Sequence, residues 1–112
     1  MSHAPITPEE RFAAVVEELL GNSGVTPPSG GNSFGSSGLK IHNKIFSMLV
    51  RGQLVVKLPK SRVDALVASG DGERFHANRG RPMKEWFTLA AASHKEWLDL
   101  AREAMEFVAL QP

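Results

Sequence analysis

The run Leu39-Lys40-Ile41-His42-Asn43-Lys44-Ile45-Phe46-Ser47-Met48-Leu49-Val50-Arg51-Gly52-Gln53-Leu54-Val55-Val56-Lys57-Leu58 reads as three short strands joined by two tight turns. His42-Asn43 suits a two-residue turn because Asn tolerates positive φ. Arg51-Gly52 suits another, since two β-rich runs around a Gly-containing dipeptide are a hairpin signal. Strict alternation predicts one face carrying Phe46, Met48 and Val50 with Leu54, Val56 and Leu58. The opposite face then carries Ile45, Leu49 and Val55, interrupted by Ser47, Gln53 and Lys57. That second face is more apolar than a solvated sheet face needs to be. The long upstream loop, a helix or another subunit is expected to cover it.

Downstream, Pro59 ends the third strand and residues 60–69 predict a short helix with Val63, Leu66 and Val67 inward, stopped by Gly70. Asp71-Gly72 is a turn, Arg74 to Ala77 a strand, residues 78–82 a loop, and Lys84 to Leu89 a strand carrying Trp86 and Phe87. Ser93 with Glu96 forms a capping box for a last helix that presents Trp97, Leu100, Ala101, Ala104, Met105 and Val108 on one side. Upstream, Thr7-Pro8-Glu9-Glu10 is a helix start with its own capping box. Phe12, Val15, Val16, Leu19 and Leu20 make the buried stripe, and Gly21 is the expected left-handed stop. Residues 21–38 form a long Gly/Ser/Pro loop anchored by Val25 and Phe34. The predicted order is α-β-β-β-α-β-β-α, an α+β fold with an antiparallel sheet packed by helices. At 112 residues the chain suits a single domain, residues 1–112 with a core of about 7–110.

Composition excludes several classes. Without cysteine there is no disulfide scaffold, thiol nucleophile or Cys-ligated metal. The N-terminus lacks a basic segment followed by an apolar run, and no apolar stretch approaches the roughly 20 residues of a membrane helix. A cytoplasmic, bacterial-type protein is the expectation.

The net charge of +1 conceals a strong asymmetry: −3 over residues 1–39, +7 over 40–84 and −3 over 85–112. Lys40, Lys44, Arg79, Arg81 and Lys84 are the candidate nucleic-acid-binding set, holding phosphates if hairpin and loop face the same way. Alternatively the basic centre pairs with the acidic ends across the fold. Phe46, Trp86 and Phe87 read as core rather than stacking platforms. Glu96, Asp99, Glu103 and Glu106 recur at helical spacing and read as a solvated face.

Other constellations carry less. In Gly30 to Ser37, Ser36 stands where a Walker loop needs lysine, and a helix rather than a strand precedes the loop. His3, His42, His76 and His94 form no ligand-spaced pair, and no nucleophile elbow occurs. No catalytic residue, cofactor or metal ligand is assigned.

Phe34-Gly35, Gly38-Leu39-Lys40 and the stretch from Lys44 to Leu58 resemble the N-terminal domain of the TfoX family. Phe34 and Gly35 match that family's glycine loop, Phe46 its strand aromatic, and Leu54 and Lys57 its next strand. Gly80-Arg81-Pro82-Met83 resembles its later Gly-Lys-Pro segment, so the similarity covers about residues 30–108. Ser33, Ser36 and Asn43 depart from the family pattern. The resemblance implies a small α+β domain, similar to YjbR-like and secretion-chaperone-like folds, acting as an interaction module. The expected function is a non-enzymatic regulatory domain that binds protein or self-associates, with Ile45, Leu49 and Val55 as interface. The alternatives are nucleic-acid binding through residues 40–84, or small-molecule binding or catalysis around the Gly-rich loop and Arg81.

Overall fold

Two positive-φ dipeptides set the centre of the molecule. His42 and Asn43 (φ 52 and 67) close one turn, and Arg51 and Gly52 (φ 52 and 79) close the next. Such paired left-handed residues match the twist of a tight hairpin. They join β2 (Leu39–Ile41), β3 (Lys44–Val50) and β4 (Gln53–Lys57). The computed structural model describes residues 7–27, 38–76, 82–90, 93 and 95–111. Around the central strands lie α1 (Pro8–Leu19), β1 (Val25–Thr26), α2 (Lys60–Ala68), β5 (Gly72–His76), β6 (Pro82–Leu89) and α3 (Trp97–Ala109). The strands form one antiparallel sheet in the order β1-β2-β3-β4-β6-β5. The fold is α+β, as expected, with β1 an addition inside the segment read as loop. Phe34 lies outside the described residues.

The helices share one side of the sheet. Thr7 and Glu10 make the expected capping box, with Thr7 Oγ1 accepting from the Glu10 amide at 3.1 Å. Phe12, Val15 and Leu19 of α1, Val63 and Leu66 of α2, and Trp97, Leu100, Ala104 and Val108 of α3 enter one core. There they meet Leu39, Phe46, Leu54, Val56, Leu58 and Phe87 of the sheet. Each such large side chain contributes about 1.5–3 kcal/mol when withdrawn from water. Met48, Val55 and Phe75 form a second, smaller cluster, with Val50 and Trp86 packed against it.

The structure revises the face assignment. Register places Val50 opposite Gln53, Leu49 opposite Leu54 and Met48 opposite Val55. Residues directly opposite share a face. Met48 and Val50 therefore lie with Val55, not with Leu54 and Val56. Two physical reasons apply. A two-residue turn after Val50 couples it to Gln53, so it cannot share a side with Leu54. The β2–β3 register also jumps from Leu39↔Ser47 to Lys40↔Ile45. This bulge lets the neighbours Phe46 and Ser47 both serve the helix side and resets the alternation.

Two helix boundaries also differ from expectation. Gly21 does not adopt positive φ; Gly24 does, at 85°. Asn22 instead donates to the Leu19 carbonyl from both its amide and its side chain, each at 3.0 Å, which closes α1 without a left-handed residue at position 21. Gly24 is also needed for space, since a Cβ there would sit 2.6 Å from the His42 ring. At α3 the expected Ser93–Glu96 capping box is absent. Glu96 is itself the N-cap residue and makes no side-chain capping bond. Ser93 Oγ accepts from the Lys95 amide at 3.1 Å and donates to Asp71 Oδ1 at 2.9 Å. The hydroxyl is thus committed to a local turn and to the α2–β5 connection.

Candidate functional site

Lys57 closes β4 directly opposite Trp86 of β6. Lys84 lies two residues before Trp86, so alternation gives it the same side of the strand. Lys60 opens α2, just beyond Pro59. The antiparallel pairing of β4 with β6 brings these four together, although α2 and β5 intervene in sequence. They line an open groove of about 510 Å³, with Glu85 as its acidic member. Lys60 and Lys84 are exposed, while Lys57 and Trp86 are half-buried. The Lys57 ammonium sits 6.0 Å from the centre of the Trp86 ring, the outer range of a cation–π contact.

The electrostatics favour an anion here. The first turn of α2 contains no acidic residue, and Pro59, its N-cap, supplies no side-chain capping bond. The positive end of that helix therefore adds to the lysines rather than being neutralised. Asp64 provides the local counterweight. Lys60 Nζ bonds it at 2.9 Å and Arg74 bonds its other oxygen. The Lys60 bond first, and the Arg74 bond next, hold the Asp64 carboxyl below the usual carboxylate range. Further along α2, Arg62 meets Glu103 of α3 at 2.7 Å. That pair realises part of the expected charge balance across the fold, and it shows that the acidic face of α3 is not wholly solvated.

The sequence-derived basic set is only partly assembled. Lys84 is in the groove. Lys44 opens β3 at the same end of the sheet, and Lys40 lies in β2 one strand further out. Arg79 and Arg81 lie outside the described residues. Lys57 and Lys60, which lie in the basic stretch but outside the candidate set, join the groove, and so does Trp86, which the sequence pattern assigns to the core. The missing signal is the β4–β6 pairing, which no local sequence pattern reveals.

The expected interface does not form one surface. Leu49 packs against the helix-side core, whereas Val55 belongs to the opposite cluster and is fully buried. Ile45 is half-buried beside the bulge. Met48 at 2% and Val55 at 0% exposure are already covered within the single chain.

A second constellation lies at the other end of β6. Asp71 accepts from Ser69 Oγ at 2.6 Å and from Ser93 Oγ at 2.9 Å. The Ser69 bond first, then the Ser93 bond, lower its carboxyl from the ordinary value. The Asp71 carbonyl also accepts from the Ala90 amide at 2.8 Å, so this cluster fastens two connections together. A small cavity of about 120 Å³ lies nearby, lined in part by Arg11, Gln53, Ser93 and Trp97. His42 is exposed in its turn, while His3 and His94 lie outside the described residues. Among the described residues no helix is long and apolar enough to cross a membrane. Comparison with known proteins yields no matching family model, curated protein or solved structure.

Proposed function

We propose that this domain is a binding module for nucleic acid, acting through the groove of Lys57, Lys60, Lys84 and Trp86. The observation that carries the reading is the convergence of three lysines and the uncapped start of α2 on one open surface. Ammonium groups lining one open groove suit a phosphate backbone, where binding gains from released counterions. Lys44 extends the same end of the sheet. Self-association through Ile45, Leu49 and Val55 is less favoured, because Leu49 and Val55 face opposite ways. A regulatory role in a bacterial cytoplasm is part of the same proposal. So is the TfoX-like ancestry, supported by Phe46, Leu54 and Lys57 occupying the hairpin strands that carried the resemblance.

Fluorescence anisotropy with a labelled oligonucleotide of about 12 nucleotides, titrated at several salt concentrations, tests the reading. Affinity is expected to fall steeply with salt. Lys57→Gln and Lys84→Gln are each expected to lower the logarithmic salt slope by about 1. Lys95→Gln, beyond the opposite end of β6, is expected to leave it unchanged. No binding at low salt, or equal effects of all three substitutions, contradicts the reading.

A further inference from the structure

We infer that the groove takes unpaired nucleotides, with the Trp86 ring as the platform on which a base stacks; this rests on the nucleic-acid reading above. Three observations converge on Trp86. It is half-buried rather than enclosed, and it lines the groove beside all three lysines. Its inner side packs against the Met48–Val55–Phe75 cluster, which holds the ring in place without filling the groove. The cation above it, Lys57, stands 6.0 Å from the ring centre, so its contact is easily exchanged for a base. The other tryptophan provides the contrast. Trp97 is 8% exposed within the main core, and the Arg11 guanidinium lies 4.3 Å from its ring centre.

An aromatic ring among lysines has a defined selectivity. The lysines meet the phosphates of any strand, whereas the ring adds affinity only where a base face is free. In a duplex the base faces are already stacked on each other, so Trp86 gains nothing there. The groove therefore discriminates by the pairing state of its ligand. Sequence preference is expected to be weak, because every base presents a π face.

The test uses the full chain with three probes: oligothymidylate of about 12 nucleotides, its duplex with oligoadenylate, and inorganic polyphosphate. Oligothymidylate is expected to quench tryptophan fluorescence and to bind about 10-fold or more tightly than either other probe. Trp86→Leu is expected to lose about 10-fold in that affinity. Trp86→Phe retains a π face, so it is expected to keep most of the affinity while losing the quench, since only Trp97 remains. This second variant decides the matter if Trp86→Leu fails to fold. Equal affinity for the three probes, or an undiminished quench in Trp86→Phe, overturns base stacking while leaving phosphate binding intact. Absence of binding to every probe overturns the underlying reading as well.

Discussion

Both tryptophans of this domain lie beneath a cation, yet they occupy opposite environments. Trp97 begins α3, sinks into the helix-side core, and is closed over by Arg11 at 4.3 Å. Trp86 sits on a strand, half-buried on the side of the sheet away from the helix-lined core, with Lys57 at 6.0 Å and two more lysines around the groove. A cation over an indole helps close the core in one place, as Arg11 guanidinium on Trp97, and borders an open groove in the other, as Lys57 ammonium on Trp86. What separates them is what covers the ring: three helices on one side of the sheet, a small cluster and an open groove on the other.

The largest expected effects probe the unequal weight of the two sides. Phe46→Ala, in the helix-side core, is expected to destabilise by about 3–5 kcal/mol. Met48→Ala, in the smaller cluster, is expected to cost about 2–3 kcal/mol, the lower part of the range for such truncations. Denaturant unfolding of both variants measures the difference. A larger loss at Met48 would mean that the second cluster, not the helix side, dominates stability.

Ser47 sharpens the comparison in the opposite direction. Its hydroxyl is buried opposite Val56 with no hydrogen-bond partner among the described residues. An unsatisfied buried hydroxyl costs stability that an apolar replacement recovers. Ser47→Ala is expected to raise the unfolding free energy by about 1 kcal/mol. A loss of stability would show that the bulge depends on the serine itself.

The smallest expected effect is electrostatic, and again compares two places: Asp64 beside the groove and Asp71 at the far end of β6. Both carboxyls are held below their ordinary value, so the folded state favours their charged form. That contribution is complete above the unfolded carboxylate pKa of about 3.9 and is lost as pH falls through the lower folded value. Melting temperature is therefore expected to drop on acidification below about pH 4. Asp64→Asn and Asp71→Asn should each flatten that acid limb slightly, because both carboxyls are only half-buried and solvent-screened. An acid limb unchanged in both variants would assign it to other groups.

Much of the fold was legible in the sequence because its signals are local. The capping box at Thr7 and Glu10, the turns at His42-Asn43 and Arg51-Gly52, and the stripe from Trp97 to Val108 need only neighbours to be read. Two differences are local: the Arg51-Gly52 turn couples Val50 to Gln53, and Asn22 closes α1 on Leu19. The others are non-local. The bulge beside Phe46 depends on β2 register and resets the alternation along β3. Ser93 reads locally as a cap, whereas its bond to Asp71 spans 22 positions. The groove was hidden for the same reason. Lys57 and Trp86 face each other only because β6 inserts between β4 and β5. Composition did show that the middle of the chain is basic, but not which lysines would meet.

The indole N–H resonances of the two tryptophans, followed by NMR during titration with oligothymidylate at low salt, test the central claim most directly. The expected result is a progressive shift of the Trp86 indole, with backbone shifts at Lys57, Lys60 and Lys84, while the Trp97 indole stays in place. A shift at Trp97 without one at Trp86, or no shift at either, would contradict the assignment of the open side of the sheet as the binding surface.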